Sequence, residues 1–135
     1  MRTAQAKRQY AHRATARLTK EGENMPIQDE QTSRAFLGIV KNLPITREGI
    51  VSKVPFETKN MQVSVFSVAA GQEISEHTSP KAVVVTLISG ALNFTVGQAV
   101  HHMVAGDFIY LAPNEPHALS ACEDSRVQLV MFSAK

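Results

Sequence analysis

The sequence predicts an all-β fold, a sandwich or barrel of short strands. Three observations predict it: from Gly49 onward the chain breaks into short runs rich in Val, Ile, Phe and Thr, turn residues stand between most of them, and no long helical period interrupts the series. The last point argues against a parallel β-α-β architecture. Eight runs carry the reading: GIVSKVPF (49–56), MQVSVFSV (61–68), AVVVTLIS (82–89), ALNFTVG (91–97), VHHMV (100–104), DFIYLA (107–112), HALSA (117–121) and RVQLVMF (126–132).

Ahead of the strands lie two segments. Residues 1–24 carry six Lys/Arg against Glu21 and Glu23, net +4, whereas residues 25–135 carry eight basic and ten acidic residues, net −2. The positive balance therefore belongs to the tail, and neither a nucleic acid nor a membrane is expected as a partner of the domain. The tail is Arg- and Ala-rich with no acid before Glu21, partly the make-up of an organelle transit peptide. It lacks serine, and Tyr10 and Leu18 are its only large apolar residues, so a basic, disordered extension of a cytoplasmic protein is the preferred expectation over targeting. Residues 25–48 form an N-terminal arm in which TSRAFLGIVKNL (32–43), with Phe36, Leu37, Val40 and Leu43, predicts one short helix or an irregular turn before Pro44. Residues 49–135 are then the barrel domain.

Composition narrows the class. The chain of 135 residues has room for one domain, and no apolar run approaches the ~18 residues of a bilayer span. The one cysteine, Cys122, excludes an internal disulfide and a cysteine zinc site. In 82–89 the run VVVTLI is apolar on both faces, which puts one face on the core and the other on a covering strand or a second subunit; a homodimer is expected. Asp107, directly after Gly106, reads as a turn cap.

Two stretches carry the chemistry: GQEISEHTSPKAVVVTLISG (71–90) and GDFIYLAPNEPHALSA (106–121). They resemble the paired motifs of the cupin superfamily, G-x5-H-x-H-x3-E-x6-G and G-x5-P-x-G-x2-H-x3-N. Gly71, His77 and Gly90 match the first in register, and Gly106 and His117 match the second. The resemblance covers roughly residues 49–132 and implies a small RmlC-like jelly-roll barrel, also called a double-stranded β-helix. Its members include oxygenases, isomerases, epimerases, storage proteins and sugar-binding domains, so the fold alone names no activity.

The departures bear directly on function. Ser79 stands at the family's second histidine and Val83 at its glutamate; Ala112, Asn114 and Ala121 replace the second motif's proline, glycine and asparagine. Positions 77, 79 and 83 share parity, so on one extended strand they would point to one side, with His117 facing them. Two imidazoles, a hydroxyl and a branched hydrocarbon fall short of a metal shell. No metal is favoured; if one is present, His77, His117 and His101 would hold Mn, Fe, Ni or Zn. His101 enters because it shares the side of Met103, whereas His102 points the other way.

The expected function is the binding of a small organic molecule in a metal-free, partly apolar pocket lined by His77, Ser79, Val83, Val85, Phe94, Met103 and His117. Three other readings stand beside it. The two histidines could simply bond neighbouring backbone at strand starts. An enzyme could use them with a metal, or use one as a general base paired with Tyr110. A regulatory module could dock a partner through VVVTLI and RVQLVMF. No phosphate loop, nucleophile elbow or paired-carboxylate signature names a reaction.

Overall fold

A computed structural model describes residues 27–47 and 49–134; the 1–24 extension, with both readings of it, lies outside the described residues. Nine strands follow one another: β1 (Ile50–Glu57), β2 (Met61–Val68), β3 (Glu73–His77), β4 (Ala82–Ser89), β5 (Ala91–Val96), β6 (Ala99–Val104), β7 (Phe108–Leu111), β8 (His117–Ala121) and β9 (Ser125–Phe132). They form a five-stranded sheet, β1-β2-β9-β4-β7, facing a four-stranded sheet, β3-β8-β5-β6, with every pairing antiparallel. This is a jelly roll.

Alternation supplies the core. On β4 the inward residues Val83, Val85 and Leu87 are buried, while Val84, Thr86 and Ile88 face outward and are partly or fully exposed. They meet Phe66 and Val68 of β2, Leu92 and Phe94 of β5, Leu119 and Ala121 of β8 and Val127 of β9. The packing changes along the barrel. At one end Leu87, Leu92, Met103 and Val127 close it with apolar side chains. At the other, the inward positions of β2 are Ser64 and Gln62, and the interior opens.

One strand lies outside the expected runs, and of the two alternatives for the arm the irregular turn is the one that forms. β3 was not among the eight runs: EISEH has one buried apolar residue, Ile74, between exposed Glu73, Ser75 and Glu76, as an edge strand allows. Its composition therefore gives no strand signal. Residues 32–43 form no helix; Gly38 turns the chain at φ 71°, Asn42 N–H donates to Gly38 C=O, and Leu37 is 84% exposed. The arm is irregular because its apolar residues do not share one buried face. Leu43 is its anchor, fully buried, with its carbonyl accepting from Nε and Nη2 of Arg126 at 3.0 and 2.9 Å. The arm lies over the outer face of the five-stranded sheet, where Ser67 Oγ donates to Pro44 C=O and Val65 is buried.

Candidate functional site

The open end of the barrel is a cavity of about 380 Å³, walled chiefly by apolar side chains, among them Phe66, Ile74, Leu111, Leu129 and Met131. Polar groups reach it from several elements: Ser52 of β1, Gln62 and Ser64 of β2, His77 at the end of β3 with the segment 78–81 that leads to β4, and His117 of β8. Thr78 and Pro80 are exposed, so this segment marks the mouth. A backbone bond from Asn114 N–H to Ser79 C=O, 2.6 Å, ties it to the β7–β8 turn. Asn114 sits there at φ 65°, in the left-handed region that asparagine tolerates better than most residues.

His77 and His117 are register partners across β3 and β8. Their ring centroids lie 4.3 Å apart at 60°, and the His117 ring is nearly parallel to Phe94, 6.0 Å away. Each is oriented by the same local device: Nδ1 of His77 contacts Ser75 C=O at 2.9 Å and Nδ1 of His117 contacts Glu115 C=O at 2.7 Å. A carbonyl can only accept, so both Nδ1 atoms carry the proton. Burial pushes His117 down to about 4; the Glu115 carbonyl opposes that shift and the neighbouring His77 ring adds to it. At neutral pH His117 is an uncharged imidazole with its lone pair on Nε2.

The cavity wall brings together His77, Ser79, Val83, Val85, Phe94 and His117. It does so by a different route from the one parity suggested, because β3 ends at His77 and β4 starts at Ala82; Ser79 reaches the wall from a loop. Met103 is buried in the core and is absent from the wall. It pairs with Leu92 near the start of β5, whereas His117 pairs with Val96 at its far end. His101 is exposed on the edge strand β6, away from the other two histidines, and His102 bonds Asn93 Oδ1 at 3.0 Å on the outer face. Tyr110 pairs with Val84 and is 54% exposed, so it faces away from the cavity and cannot assist either histidine as a catalytic partner. Cys122 is exposed beyond β8, and Asp107 caps its turn by accepting from Val104 N–H at 2.9 Å.

Sequence reasoning missed Gln62, Ser64 and Lys81. In MQVSVFSV both faces mix apolar and hydroxyl or amide side chains, so alternation does not reveal which one is inside. The donor set does not fit a metal ion. Among the described residues no three His, Cys, Asp or Glu side chains are grouped to hold one. Two imidazoles with Ser79 and Val83 in the remaining positions are one protein ligand short of zinc-type and facial-triad sites.

A family described as "Cupin domain" matches residues 64–133, just over half of the chain. No curated protein is similar enough in sequence to match. Among solved structures, a conserved protein of unknown function from Streptococcus pyogenes is 26% identical at a TM-score of 0.69, the alignment covering 84% of this chain and 99% of that one. An uncharacterised protein with a double-stranded β-helix domain from Klebsiella pneumoniae is 27% identical at 0.65, covering 75% and 90%. The salicylate 1,2-dioxygenase of Pseudoaminobacter salicylatoxidans, solved with gentisate, is 13% identical at 0.60, covering 62% of this chain and 25% of that one, a likeness of fold alone.

Proposed function

This chain belongs to the cupin domain family, and from that premise we propose that it binds a small organic molecule in a metal-free, partly apolar pocket at the open end of its barrel. The observation that carries the reading is the cavity of about 380 Å³ itself, largely apolar, with a few polar groups on its wall. A cavity of about 150 Å³ suffices for benzene, so this one has space for a substituted ring or a short branched chain. Val83, where metal-binding relatives of the motif have glutamate, is buried in the wall and makes it apolar at that point.

Metal-dependent oxygenase or isomerase chemistry is the weaker reading because of the ligand shortfall, and no step is derived through a metal. General-base catalysis by His117 is disfavoured too: a base held near 4 is far from the pKa that serves proton abstraction at neutral pH. Elemental analysis of the purified full chain, with thermal melting before and after EDTA, tests the proposal. The expected result is a substoichiometric metal content and an unchanged melting temperature. About one equivalent of a transition metal, removed by EDTA with loss of stability, would overturn it.

We propose also that two copies pair through the outer face of β4, β7 and β9. What supports this is that Phe108 is 67% exposed and Tyr110 54% exposed beside Val84, with Val130 next in register.

A further inference from the structure

The cavity holds an acceptor that the described residues leave unsupplied. His117 donates through Nδ1 to the Glu115 carbonyl, so its neutral ring presents a lone pair at Nε2. Among the described residues no donor bonds that atom, and stacking on Phe94 together with the Nδ1 bond fixes the ring plane against the wall. His77 is oriented by the same local device, its Nδ1–H donating to Ser75 C=O. The wall's hydroxyls complement the His117 acceptor. Ser64 Oγ already accepts from Gln62 Nε2 at 3.0 Å and Ser79 Oγ from Lys81 N–H at 3.2 Å, so each hydroxyl has its own proton to give.

Resting on the ligand-binding reading above, we propose that the pocket selects a neutral hydroxyl group on an apolar body, an alcohol or a phenol, and that His117 Nε2 receives its proton. A hydroxyl both donates and accepts, which suits a cavity whose wall offers an imidazole lone pair and serine O–H groups. An ether leaves the lone pair unpaired in a largely apolar cavity, and a carboxylate sets its own lone pairs against it. Among the described residues the one Lys, Arg, Asp or Glu side chain on the wall is Lys81, in the mouth segment, so an anion would have to be held there instead.

The test uses three matched probes, para-propylphenol, para-propylanisole and para-propylbenzoate. They are titrated into the full chain at about pH 8, where phenols are neutral, with dissociation constants read from amide chemical shifts. The phenol is expected to bind roughly tenfold or more tightly than the other two. In His117→Phe the preference for phenol over anisole is expected to vanish while both still bind. In His117→Gln, whose amide oxygen can stand near the Nε2 position, part of it should return. Should either variant fail to fold, the wild-type ratio alone decides. Equal binding of phenol and anisole by the wild type overturns the donor requirement and leaves the apolar pocket standing. Tightest binding of the benzoate overturns it in favour of an anion site at Lys81. If no probe moves the signals of cavity residues, the ligand-binding reading itself falls.

Discussion

His117 links the site to stability. Its folded pKa of about 4 lies below the ordinary 6.5, so between those values the unfolded chain binds more protons than the folded one. Stability therefore rises with pH through this window, is lost as pH falls from about 6.5 to 4, and loses nothing further from this group below that. The facing groups are His77, across the pair, and Lys81 in the mouth. Discounted for the ring's remaining exposure, the loss is on the order of 1 kcal/mol. Urea denaturation at several pH values should show it as a difference between the wild type and His117→Phe, which also cancels the carboxylates common to both. A wild type and variant with parallel pH profiles would contradict the assignment. Glycines at the motif ends make a second contrast at this scale. Gly90, φ +96°, has no room for a Cβ, which would collide with the Asp124 carbonyl and the Ser125 hydroxyl; Gly71, φ +89°, has nothing within 4 Å. Ser125 is fully buried and bonds Ala91 N–H, Ala91 C=O and Glu123 C=O, so it cannot give way. Gly90→Ala should cost about 3 kcal/mol or more, and Gly71→Ala only the left-handed backbone strain of about 1 kcal/mol, both read by chemical denaturation.

Elements differ in how much they show in sequence, and the arm illustrates why. Its seat on the sheet depends on Arg126 of β9 holding the Leu43 carbonyl, a contact across 83 positions that no local pattern announces. Arg126→Ala should cost about 1–2 kcal/mol, and the Asn42 and Leu43 amides should exchange with deuterium faster, while the strand amides keep their order of protection. Uniform acceleration across the barrel would instead mean that Arg126 supports the whole sheet. β2, β4 and β8 were legible with their ends because β-branched alternation and flanking turn residues agree there. β3 was not, because an edge strand with one buried side chain needs little hydrophobic signal. The same break, at His77, undid the idea of one continuous strand through 77, 79 and 83. The motif positions nonetheless face one cavity, since the Asn114 N–H to Ser79 C=O bond folds the intervening loop inward. Met103 and His101 share the inward parity of β6, but parity gives the side of a sheet and not the height along a barrel. One is buried beyond the cavity and the other lies exposed on an edge strand.

For the molecule as a whole, the two outer faces of the five-stranded sheet's halves are treated unequally. Over β1 and β2 the arm covers Val65 and Ser67; over β4 and β7 nothing among the described residues covers Phe108 and Tyr110. Large aromatic side chains left open on an edge strand invite association, and a second copy meets them with the same apolar surface. A stable interface buries on the order of 800 Å² per partner, more than two side chains supply, so Val84, Ile88 and Val130 must join the contact. Light scattering at about ten micromolar should give twice the 14.8 kDa chain mass. Phe108→Ser with Tyr110→Ser should return it to the single-chain mass. Because both side chains point away from the cavity, the double variant should bind para-propylphenol with unchanged affinity, separating assembly from the pocket. A wild type that scatters as one chain at that concentration rules out the dimer and leaves the aromatic pair as ordinary exposed surface.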